Sequence, residues 1–159
     1  MDEETTKLLV VLQNAYDKGT LAEGFNSARW KSELARSLTG RKLARGIPEG
    51  AWRVSYTNAS PILGAGPSSK PPACHSHLKR AVRRAKPDIV LAGGLVAERA
   101  CVEVWSGPLL AIPHPACRVL TNDALDQCRQ ILESWPQTQI VFRSAIRQLR
   151  GGTELVALF

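Results

Sequence analysis

Three short polar segments carry residue types from which a reaction could be built. They are Gln13-Asn14-Ala15-Tyr16-Asp17, Asn58-Ala59-Ser60-Pro61 and His114-Pro115-Ala116-Cys117-Arg118. Asn14 and Asn58 each offer a donor and an acceptor, Asp17 offers a carboxylate, and His114 can donate to a developing anion. Taken singly, such residues have ordinary uses. Asn and Asp after a strand make turns, and a His before Pro is common on surfaces. Each segment follows an apolar run, however, and that shared placement gives the three a common meaning.

The apolar runs are the elements that must position them. Lys7 to Leu12 reads as a buried strand, Arg53 to Thr57 as a second, Asp88 to Ala92 as a third and Leu109 to Ile112 as a fourth. Ile140 to Phe142 reads as a fifth, and the tail Glu154 to Phe159 is either a strand or apolar packing. Between them, Ala28, Trp30, Leu34, Ala35 and Leu38 have helical spacing, which predicts a helix from Ser27 to Leu38 closed by Gly40. From Cys74 to Ala85, apolar Leu78, Ala81, Val82 and Ala85 share one helical face, while Lys79, Arg80, Arg83, Arg84 and Lys86 cover the other. Pro87 ends that helix. Gly93-Gly94 leads into a helix from Leu95 to Val104, and Thr121-Asn122-Asp123 offers N-caps for one running to Trp135. A short helix follows at Ala145 to Leu149.

Strands alternating with helices predict an α/β fold: a three-layer α/β/α sandwich around a central, mainly parallel sheet of four to five strands. In open α/β sheets ligands bind beyond the carboxyl ends of the strands, which is where all three polar segments fall.

Composition narrows the classes of function. The 159 residues are 44% hydrophobic and 22% charged, values that suit one globular domain over residues 1–159 and exclude extended disorder. No apolar run approaches the roughly 20 residues of a membrane helix. Met1-Asp2-Glu3-Glu4 is acidic where a leader peptide is basic, so the expectation is a soluble cytoplasmic protein. The net charge of +7 favours a polyanionic partner, nucleic acid first and an anionic membrane second.

Cys74, Cys101, Cys117 and Cys128 form no C-x-x-C pair and read as isolated reduced thiols. Cys74-His75-Ser76-His77 would give a metal two ligands and need two more from distant segments; its other reading is the start of a helix. A small-molecule nucleotide enzyme is disfavoured, because Gly64 to Gly66 lacks the Lys-Ser/Thr ending of a phosphate loop.

In order and spacing from Lys7 to Leu132, these segments resemble those of the uracil-DNA glycosylase superfamily. Gln13-Asn14-Ala15-Tyr16-Asp17 resembles the water-activating motif after the first strand, and Phe25 stands where the family places an aromatic that stacks on the extracted base. Arg53-Val54-Ser55-Tyr56-Thr57-Asn58 resembles the strand whose terminal Asn reads the base edge. Lys86 to Gly94 resembles the central helix-to-strand passage, and Ile112-Pro113-His114-Pro115-Ala116 resembles the motif opening the DNA-intercalating loop.

The resemblance implies a monofunctional, monomeric DNA glycosylase that acts on uracil or a modified pyrimidine and needs no cofactor. It further implies a bacterial or viral setting, the latter acting in the host cell. His114 would stabilise the departing base anion, and Asn14 or Asp17 would handle the water. Gln13, Tyr16, Phe25 and Asn58 would bind the base, with Tyr16 against C5 of a pyrimidine. Arg118, Val119 and Leu120 would fill the gap left in the duplex, and Ser68, Ser69 and Lys70 would contact phosphates.

Two departures matter. Asn14 and Ala15 stand where the family often has Asp and Pro, and an Asn positions water without being a strong base. The iron–sulfur branch has four ligand cysteines, of which only Cys74 falls near a matching position. The first departure keeps two rivals open: a base-flipping DNA-binding protein that does not cut, and an enzyme of hypermodified viral DNA bases outside repair.

Overall fold

The computed structural model describes residues 5–13, 32, 34–50, 52–60, 72–115, 120–135 and 156–158. Its centre is four parallel strands, β1 (Thr6–Leu12), β2 (Trp52–Asn58), β3 (Ile89–Gly93) and β4 (Leu109–Ile112). A last strand, β5 (Val156–Leu158), pairs antiparallel with β4, giving the order β2-β1-β3-β4-β5. The tail is therefore a strand. The two expectations at Ile140 to Phe142 and Ala145 to Leu149 lie outside the described residues.

Register locks the carboxyl ends of the strands to one edge. Leu12 pairs with Asn58, Val11 with Ala92, and Gly93 with Ile112. From β1 the chain crosses to β2 on one side, then returns past β1 to β3 on the other. The topological switch point thus lies between β1 and β3.

Right-handed crossovers that run in opposite directions along the sheet put their helices on opposite faces. On one face, α1 (Leu38–Gly46) and α4 (Asn122–Glu133) cover Leu8, Val10, Leu12, Ile89, Leu91, Leu110 and Ile112. On the other, α2 (His75–Ala85) and α3 (Leu95–Val104) cover Leu9, Val11, Val90, Ala92 and Leu109. The strict alternation along β1 is the period-2 signature of a strand buried on both faces. The described residues thus form the three layers that the element order predicts.

One helix departs from expectation. The spacing predicts closure at Gly40, yet Ser37 caps α1 and Gly40 lies in its first turn. The Ser37 hydroxyl donates to the Leu34 carbonyl at 2.6 Å while its oxygen accepts from the Gly40 amide at 3.0 Å. That exchange ends one helical turn and starts the next. A Cβ on Gly40 would strike the Leu34 carbonyl, so the glycine permits the sharp junction instead of closing a helix. Thr121 caps α4 as expected, its hydroxyl accepting from Ala124 at 3.2 Å.

Charges tie α1 to α4. The Arg45 guanidinium donates to both carboxylate oxygens of Asp126, at 2.9 and 3.0 Å. Arg129 donates to the carbonyls of Arg45 and Ile47, at 3.2 and 3.1 Å. The hydrogen bond from Arg45 holds the Asp126 carboxyl below its usual range.

Candidate functional site

Beyond the strands, backbone hydrogen bonds continue to draw the four carboxyl ends together. Ala59 donates to Leu12 at 2.7 Å and Ser60 to Gln13 at 3.0 Å, extending the β1–β2 pairing past both strands. Gly94 donates to Ile112 at 2.9 Å, doing the same for β3 and β4. The resulting rim carries Asn58 and Ser60 from β2, Gln13 from β1, Gly93-Gly94 from β3 and His114-Pro115 from β4.

Two glycines fix how closely these pieces approach. A Cβ on Gly93 would lie 3.0 Å from the Leu12 side chain and 3.1 Å from that of Pro115. Gly94 has φ +97° and ψ 162°, a region open to glycine alone, and a Cβ there would sit 3.2 Å from the His114 Cβ. The His114 backbone is thereby packed directly onto the β3–α3 turn. Its side chain is half-buried.

Polar groups on this rim are enclosed. Asn58 is 3% exposed and Ser60 1%. The Gln13 amide nitrogen is buried and, among the described residues, has no hydrogen-bond partner, a state that costs about 1–3 kcal/mol. An acceptor supplied by a ligand would remove that cost.

Sequence reasoning weighed His77 as half of a metal pair, and the structure gives it another task. Its Nε2 lies 3.1 Å from the Asn58 carbonyl and 3.4 Å from the Thr57 hydroxyl. A carbonyl only accepts, so this hydrogen bond needs the proton on Nε2. Burial holds the imidazole below its ordinary pKa, outweighing the pull of the Asn58 carbonyl. The Cys74 amide donates to the Ala59 carbonyl at 2.8 Å, so α2 starts against the same rim. His77 and Cys74 together hold the end of β2; the helix-start reading of Cys74-His75-Ser76-His77 is the one the fold uses. Only the spacing of His77 one turn into a helix that follows Asn58 could have signalled this.

Glu98 is a second residue that sequence reasoning missed. It lies in the first turn of α3, is 7% exposed, and has a carboxylate oxygen without a partner among the described residues. Burial raises its pKa. Cys101, one turn on, is pushed up to about 12 by burial, as is Cys128 on the opposite face. Among the described residues no group of three metal-ligating side chains comes together.

Of the site residues read from the sequence, Gln13, Asn58 and His114 are brought to one edge of the sheet. Leu120 is not available there. It is 3% exposed and packs in the core with Ala124, Leu125 and Cys128 of α4, which leaves its side chain no free surface for entering a duplex. A leucine following a loop and preceding an N-cap is placed to pack under the helix, and that is the use it has. Asn14, Tyr16, Asp17, Phe25, Ser68, Ser69, Lys70, Arg118 and Val119 lie outside the described residues. No described helix is long and apolar enough to cross a membrane.

Comparison with family models, with curated proteins and with solved structures gave no match, so the site's meaning rests on its own geometry.

Proposed function

We propose that the chain is a DNA glycosylase that flips out uracil or a modified pyrimidine and hydrolyses its N-glycosidic bond. One observation carries this reading. Gln13, Asn58 and His114 share the carboxyl edge of a parallel sheet at its switch point, and the Gln13 amide is a buried donor without a partner among the described residues.

Asn58 and His114 end strands three positions apart, about 14 Å at ~4.8 Å per strand. A separation of that size leaves room for a base between the two ends. Asn58 would hydrogen-bond the Watson–Crick edge, and the Gln13 amide would donate to a base carbonyl. Phe25 would stack on the ring and Tyr16 would limit the C5 substituent. Breaking the bond leaves negative charge on the base, which His114 and nearby backbone amides would stabilise. Asn14 would orient the water, with Asp17 as the alternative base. Arg118 and Val119 would fill the vacated position in the duplex, and Ser68, Ser69 and Lys70 would hold phosphates.

The second reading, a protein that captures a flipped base without cutting, is favoured by Asn14-Ala15 at the water-handling position. Incubation with oligonucleotides bearing a panel of modified bases, followed by an assay for abasic sites, separates the two. On the responsive substrate His114→Ala should lower single-turnover rates by roughly 10²- to 10³-fold with binding nearly intact. Full turnover by His114→Ala would remove the anion-stabilising role. If Asn14 orients water, Asn14→Ala should lose activity and Asn14→Asp should keep or raise it. If Asp17 is the base, Asp17→Asn should be the more damaging change.

A further inference from the structure

The exposed face of α2 carries Lys79, Arg80, Arg83 and Arg84, and Lys86 caps the helix; all five are exposed, and the helix contains no acidic residue. Among the described residues none of the five forms an ion pair, whereas Arg45 on the opposite layer is paired with Asp126. Lys79 with Arg83, and Arg80 with Arg84, are like charges one turn apart, an arrangement that weakens a helix.

Lys86 adds an independent sign. It adopts a left-handed backbone, φ 46° and ψ 57°, at the position after the helix where glycine is the usual residue. The chain accepts a strained lysine there, and the lysine extends the cationic stripe.

We infer that this stripe is a docking surface for the phosphodiester backbone of DNA flanking the base held at the sheet's carboxyl edge. The choice of DNA rests on the glycosylase reading; the surface itself does not. Charge complementarity fits it: α2 is about 16 Å long, the length over which one DNA strand presents about five phosphates. Position fits as well. The helix begins at the rim, where His77 meets Asn58, and runs down the flank to Pro87 and Asp88 at the opposite edge. A membrane surface fits less well, because α2 has spent its apolar side. Leu78 is 0% exposed, Val82 and Ala85 pack in the core, and none of the exposed large apolar residues, Leu38, Leu95 and Val102, belongs to α2.

The test measures binding of a fluorescein-labelled, undamaged 20-base-pair DNA duplex against salt. Wild type is compared with a variant combining Arg80→Gln, Arg83→Gln, Arg84→Gln and Lys86→Gly. The variant should bind at least about tenfold more weakly at low salt, and its log–log salt slope should shrink by about 2 to 4. Its urea midpoint should match or exceed that of wild type, since like charges and a left-handed lysine are removed. Should that variant misfold, Arg80→Gln with Arg84→Gln alone should shrink the slope by about 2. Unchanged affinity and slope would overturn the inference. So would binding of wild type to phosphatidylserine-containing vesicles through these residues in the absence of duplex binding. An abasic-site assay run in parallel keeps the two readings apart. A reduced slope with no abasic product from wild type sinks the glycosylase and leaves the surface standing; abasic product with an unchanged slope does the reverse.

Discussion

The two helical layers flank one sheet and solve different problems. The layer of α1 and α4 buries Leu43, Ala124, Leu125, Cys128 and Leu132 over large aliphatics of the sheet, and its Arg45, Asp126 and Arg129 side chains bond to each other or to carbonyls. The layer of α2 and α3 buries Leu78, Ala97, Ala100 and Cys101, with Val82, Ala85, Val104 and Trp105 packed against them. There, among the described residues, the helices leave a cationic stripe without an ion pair, bury Glu98 without a full set of partners, and set His77 beside the end of β2. One layer is built for stability. The other gives some of it up, at His77 beside the rim and along the stripe that runs from it to the opposite edge.

The sharpest break in this contrast would come from Leu125→Ala. Leu125 is 1% exposed, so the truncation should cost about 2–5 kcal/mol by urea unfolding. Replacing Arg80 and Arg84 on α2 with Gln should shift stability by no more than about 0.5 kcal/mol. Equal losses from both would erase the division between a structural and a binding layer.

Next in size is Gly94→Ala, at the turn where the layers' business meets the rim. A side chain at φ +97° with its Cβ 3.2 Å from His114 should cost roughly 1–3 kcal/mol, read from the urea midpoint, and displace His114. If the glycosylase proposal holds, abasic-site formation should fall by more than that stability loss explains. A variant of normal stability and activity would show that Gly94 does not position His114.

Glu98→Gln tests whether the α3 carboxyl is a stability cost. The folded pKa of Glu98 is raised above the ordinary value of 4.5, so its protonated form stabilises the fold below that value and the contribution is lost as pH rises through the folded pKa. The Gln variant should therefore gain on wild type as pH climbs from about 4.5 to 7, reaching a Tm advantage of roughly 2–4 °C. A Tm difference that does not change with pH would mean that Glu98 is compensated after all.

The smallest effect belongs to His77→Gln, which keeps a donor near the Asn58 carbonyl but cannot titrate. Burial lowers the folded pKa of His77 below 6.5, so its contribution is present above that value and lost as pH falls through the folded pKa. Wild-type thermal midpoints should fall between pH 7 and 5 more steeply than those of the Gln variant. Parallel curves would detach His77 from the end of β2.

The strands of the parallel sheet were legible within a residue or two, because β1 and β3 are buried on both faces and must be nearly continuous apolar runs. The helix at Cys74 to Ala85 was legible from its two-sided pattern, and Thr121 from its cap chemistry. Gly40 misled for a physical reason: a glycine after an apolar run marks a helix end only if its backbone turns left-handed, whereas here it relieves a clash with Leu34. Leu120 misled because a residue next to a loop motif was read with the motif, while the core claimed its side chain.

What the sequence determined by itself was local: the period of burial, the caps, the excess of positive charge and the polar segments that follow strands. The strand order, which sets Gln13 between Asn58 and the β3–β4 end, depends on crossovers spanning dozens of residues, and no local pattern encodes it. The same holds for the partners of buried groups. His77 reaches Asn58 across 19 residues of chain and Arg129 reaches Ile47 across 82, contacts that exist only because the sheet brings distant helices to one face. Whether a charge is neutralised or left open to a partner is likewise a property of neighbours in space, so the +7 was countable in the chain while a stripe on α2 with no ion pair among the described residues was decided by the fold.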